Sequence, residues 1–138
     1  MDPATASRLA DALLGLHAGI VAFNVAMPPA ILLGAWRGWA WVRHRGLRAL
    51  HLVSMAVVAA QALLGELCFL THWESALRRL AGEAGYGAGF VEAWLGRLLY
   101  VEVPLAALLP LYVGWALLSL GLWWWVPPAR APAQSVKR

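Results

Sequence analysis

The feature that most constrains this chain is the scarcity of charge over three long apolar runs, at about residues 9–33, 47–70 and 103–126. A helix rises 1.5 Å per residue, so roughly 20 apolar residues cross the hydrocarbon core of a bilayer. Each run is long enough. Inside hydrocarbon the backbone must satisfy its own polar groups, and an apolar run of this length does so as a helix. Apolar residues make up 62% of the chain and charged residues 13%, against about 45–50% and about 25% in soluble domains. The sequence therefore predicts an all-α integral membrane protein with three transmembrane helices, formed as a single domain over residues 1–126. The tail from 127 to 138 is expected to be disordered.

Residues 90–126 are too short for two spans and a turn, which would need about 40 residues. They read instead as a short interfacial helix, Phe90 to about Tyr100, followed by the third span. The start of the chain, Met1-Asp2-Pro3-Ala4-Thr5-Ala6-Ser7-Arg8, lacks a basic n-region, and the first span is expected to stay in the protein. Within that span Pro28-Pro29 predicts a kink or an early helix end, because proline removes a backbone donor.

The basic residues flank the apolar runs and do not line one polar face, so the net charge of +4 reads as a topology signal and not as a nucleic-acid footprint. Arg37, Arg43, Arg45 and Arg48 cluster at the loop after the first span, with Trp36, Trp39 and Trp41 beside them. Arg130, Lys137 and Arg138 lie in the tail. The positive-inside rule places that loop and the C-terminus in the cytoplasm and the N-terminus outside. The sequence Thr71-His72-Trp73-Glu74 has the form of a capping box and predicts a helix from Trp73 to about Ala81, with Glu74 and Arg78 as an exposed i, i+4 pair. Gly82, Gly85, Gly87 and Gly89, with Tyr86 among them, predict a loop on the outer side. Short interfacial helices would flank it.

Ionisable groups in a span cost about 2.5–3.5 kcal/mol near its centre and call for partners. The intramembrane candidates are His17, Asn24, His51 and Glu66. His17 and Asn24 are seven residues apart and share a helical face. Counted along the spans, His17 lies roughly 12 Å and Glu66 roughly 6 Å from the outer ends, so the two are expected to meet. His51, near the arginine-rich end, reads as an interfacial histidine. It lies on the order of 15 Å in depth from His17, which sets bis-histidine haem ligation aside. Cys68, Glu66 and His72 are metal-ligand types without zinc-site spacing, and no cofactor is predicted. On the outer loop the candidates are Cys68, Thr71, Glu74, Arg78, Gly82, Tyr86 and Gly89. The sequence has no P-loop, dinucleotide glycine motif or nucleophile elbow.

The pattern His51-Leu52, Gly65-Glu66, Cys68-x-Leu70-Thr71-x-x-Glu74-x-x-Leu77-Arg78 and Ala81-Gly82-Glu83-Ala84-Gly85-Tyr86-x-x-Gly89-Phe90-x-Glu92 resembles the small bacterial membrane proteins of Domain of Unknown Function family 2784. Phe69 and Val101 stand where that family usually has proline. The resemblance runs from His17 to Tyr100 and implies a helical protein of the bacterial inner membrane, with no activity assigned. Two functions are expected from these residues. One is a non-enzymatic accessory protein whose outer surface, Thr71 to Phe90, meets another membrane protein or a second copy. The other is a membrane-embedded enzyme or cofactor- or ligand-binding protein using a polar site between the first two spans.

Overall fold

The structure is a computed structural model, and it describes residues 1–85, 87 and 89–129. Tyr86 and the tail from 130 onward lie outside the described residues. Among the described residues five α-helices follow one another: α1 Pro3–Arg37, α2 Arg45–Leu63, α3 Phe69–Leu80, α4 Phe90–Leu99 and α5 Leu105–Trp125. A 3-10 turn, Ala40–Arg43, joins α1 to α2. No strand occurs among the described residues. Three of the helices, α1, α2 and α5, are long and apolar enough to cross a membrane, the number expected from the sequence, and they mark a multi-pass membrane protein.

The helix ends follow from local chemistry. Asp2 caps α1, its Oδ1 accepting from the Thr5 N–H at 2.9 Å, and Pro3 occupies the first position, where a missing N–H costs nothing. Pro28 and Pro29 lie inside α1, which continues through them to Arg37. The helix therefore does not end early at the proline pair. It ends at Gly38, whose φ of 74° is the left-handed conformation that glycine adopts without strain.

The second span also departs from expectation, ending at Leu63 and not near Leu70. Gly65 is left-handed, with φ 71°, and the Glu66 N–H donates back to the Gln61 carbonyl at 2.9 Å. That pairing is the Schellman type of helix stop. The Gln61 side chain then accepts from the Phe69 N–H at 2.9 Å and fixes where α3 begins. Consequently α3 starts at Phe69 with Cys68 as N-cap. Thr71 sits inside the helix and makes no capping box.

At 35 residues α1 is about 52 Å long, against about 28 Å for the 19 residues of α2. It overhangs its neighbour by more than 20 Å. The strongly amphipathic α3 packs along this overhang. Ala6 and Ala10 on α1 are fully buried, and small residues allow two helices to approach closely. The facing stripe of α3 is Leu70, Thr71, Glu74, Ser75 and Arg78, spaced by three and four. At the opposite end Met27, Ile31, Val42, Leu122 and Val126 form an apolar core joining α1, the 3-10 turn and α5. Gly34 makes this possible, since a Cβ there would stand 2.5 Å from a Val42 methyl.

Candidate functional site

Between α1, α2, α4 and α5 lies a partly open cavity of about 280 Å³. Its walls are chiefly apolar, with Val21 and Val25 from α1, Met55 and Val58 from α2, and Leu111 from α5. Against these walls stand a few polar side chains: His17, Asn24, Gln61, Tyr112, and at one end Glu66, Cys68 and Glu92. A concave apolar site with few polar groups is the usual form of a small-molecule pocket.

His17 and Asn24 are 5% and 6% exposed. His17 Nδ1 and Asn24 Oδ1 are buried and have no hydrogen-bond partner among the described residues. A buried polar atom left unpaired costs about 1–3 kcal/mol, so two such atoms on one cavity call for a reason. Phe90 of α4 packs against the His17 ring at 4.7 Å between centroids. The Glu92 carboxylate accepts from the N–H of Gly89, which fixes the start of α4. A Cβ at Gly89 would press on that carboxylate, so a larger residue there would shift the end of the Glu92 side chain.

On the cavity wall, Asn24 joins three helices. Pro28 has no N–H to give to the carbonyl four residues earlier, which is that of Asn24. This freed carbonyl accepts instead from Trp115 Nε1 of α5 at 3.0 Å and from His51 Nε2 of α2 at 3.3 Å. A carbonyl can only accept, so the His51 proton sits on Nε2. The Asn24 side chain donates to Ser54 Oγ at 2.9 Å. His51 is thus 1% exposed and part of the bundle. The sequence signal was present in Pro28 together with an asparagine one turn before it.

Glu66 takes a different place from the one expected. It stands beyond the end of α2, 68% exposed, with Oε2 4.0 Å from His72 Nε2. The expected contact with His17 is not formed, because Gly65 stops the helix before Glu66 can enter the bundle. Glu74 and Arg78 do pair, at 2.9 Å, but the pair is not exposed: the side chains are 1% and 14% accessible. Arg78 also reaches Asp11 at 3.1 Å and Glu83 at 2.8 Å. Glu83 in turn accepts from Ser7 Oγ at 2.7 Å. The Ser7 and Arg78 hydrogen bonds hold the Glu83 carboxyl below its ordinary pKa. Thr71 is 2% exposed and Gly82 ends α3 with φ 78°.

Arg48 was not among the expected site residues. It is 1% exposed and donates to the carbonyls of Leu122 at 2.7 Å and Val126 at 2.8 Å, with Trp123 under its guanidinium at 5.7 Å. A cation at a helix C-terminus satisfies the last carbonyls and the negative end of the dipole. No curated protein and no solved structure matches this chain. A family model matches nearly its whole length, residues 7–128, and the chain belongs to that family, described as Protein of Unknown function (DUF2784).

Proposed function

We propose that this protein binds a small, largely apolar molecule in the cavity between α1, α2, α4 and α5. One observation carries the reading: an apolar cavity of about 280 Å³ lined by two residues whose buried polar atoms have no partner among the described residues. Either atom would be satisfied by a ligand, and an apolar body would fill the rest. The ligand would enter from the membrane, because α4 closes one side of the cavity with Phe90 and Val91 while exposing Trp94 and Leu98. We further place the protein in a bacterial inner membrane, N-terminus outside and arginine-rich end in the cytoplasm, on the charge bias of its loops.

The test is purification in mild detergent followed by native mass spectrometry and organic extraction. The wild type should carry a stoichiometric lipophile. Ala62→Phe, which fills the cavity from α2, should fold and lose it. Retention of the same molecule by the filled variant would sink the reading.

Docking onto another membrane protein is the second reading, favoured by Phe69, Trp73 and Leu80, which α3 leaves exposed. Co-purification of one membrane partner, abolished by Trp73→Ser with insertion unchanged, would support it.

A further inference from the structure

The charge of the cavity wall limits what head a ligand can carry. Glu66 and Glu92 line the cavity, and no lysine or arginine does so among the described residues. Arg78 of α3 is held by three carboxylates, those of Asp11, Glu74 and Glu83. A phosphate or carboxylate head seated at His17 would lose its water beside the buried Glu92 carboxylate and find no lysine or arginine on the wall, while Glu66 stands largely exposed at the end of the cavity. Burying a charge without a partner is heavily unfavourable, so anionic lipids and fatty acids are rejected.

The two unpaired atoms say what is accepted. His17 Nδ1 is an acceptor in one imidazole tautomer and a donor in the other. The unpaired end of the Asn24 amide is an acceptor as placed and a donor if the amide is turned over. A hydroxyl is both donor and acceptor, and so matches either state of either group. Asn24 lies seven residues below His17, or about 10 Å along α1, so one head meets one of them. His17 stands closer along α1 to the α4 end of the cavity. There Phe90 flanks its ring, and the same wall includes Glu92.

We infer that the ligand is an uncharged lipid with a hydroxyl head seated at His17 and its chain running toward Met55 and Trp115. This rests on the proposed binding role and names its chemical class.

The experiment measures thermal unfolding of the full chain in detergent with three probes of equal chain length: 1-dodecanol, dodecanoate and dodecylamine. The alcohol should stabilise the wild type, since a ligand bound only to the folded state raises its stability. Dodecanoate should need at least about tenfold higher concentration for the same shift. The alcohol effect should weaken in His17→Leu and vanish in Ala62→Phe. If dodecanoate equals the alcohol, the head assignment is wrong while the cavity stands. Dodecylamine acting most strongly would replace the hydroxyl with a cationic head. If no probe distinguishes wild type from Ala62→Phe, both the assignment and the binding role fall.

Discussion

At the arginine-rich end, Arg48 is buried with its guanidinium on the carbonyls of Leu122 and Val126, and apolar side chains close around it. At the α3 and α4 end, His17 and Asn24 are also buried, yet each has a polar atom beside a cavity with no partner among the described residues. Both ends bury expensive groups. At one end the guanidinium is fully engaged in tying helices together, whereas at the other His17 Nδ1 and Asn24 Oδ1 have no partner among the described residues, although Asn24 also ties three helices through its carbonyl and its amide nitrogen. The contrast separates residues that set stability from residues that set binding, and substitution should tell them apart.

The largest effect is expected at Arg48. Arg48→Met leaves two buried carbonyls without their side-chain donor and should cost roughly 3 kcal/mol, with Arg48→Lys recovering only part because an ammonium lacks the planar fork. Unfolding in detergent measures it. His17→Leu should stay within about 0.5 kcal/mol of wild type or exceed it, since it removes an unpaired polar atom. A loss at His17 as large as that at Arg48 would erase the distinction between the ends.

Trp115→Phe tests the boundary between the two regions. Losing the indole bond to Asn24 should cost about 1 kcal/mol. Pro28→Ala restores a backbone N–H to the same carbonyl, and the double variant should lose less than the two single changes predict. Strict additivity in that cycle would show that Pro28 and Trp115 do not share one acceptor.

The smallest effect is expected on acidification. The Glu83 carboxyl is held below its ordinary pKa by Ser7 and Arg78, so its contribution is complete above the unfolded value, about pH 4.3. It is lost as pH falls through the lower folded value. Amide exchange along the first turns of α1 should accelerate in that acid range, and Glu83→Gln should remove part of the dependence, leaving the part set by the Asp2 cap, whose carboxyl the Thr5 hydrogen bonds hold below its ordinary pKa.

The class of the fold was legible because solvent decides it: three apolar runs can satisfy their backbones in hydrocarbon only as helices. Local stops were less legible. Gly65 read as one more small residue within a span, although a glycine followed by a polar residue is also how a helix ends, and the ambiguity moved Glu66 into the bundle. Glu74 and Arg78 read as solvated because their spacing forms an exposed pair on any isolated helix. Only the overhang of α1, invisible without its neighbours' lengths, provides a wall to bury them against. Arg48 was absorbed into a topology rule that counts arginines by position and is blind to what each side chain reaches. His17 and Asn24 were visible as one face of one helix, but the void beside them comes from four helices meeting.

The Asn24 carbonyl also sets an order of assembly. Pro28 leaves it unpaired within its own helix, and its two donors arrive on α2 and α5. While the chain is being made, α1 enters the bilayer with an open backbone acceptor, which the second span meets in part. The bond from Trp115 waits until the last helix is in place. A chain lacking α5 would thus keep the Asn24 carbonyl short of its Trp115 donor, a built-in difference between finished and unfinished copies.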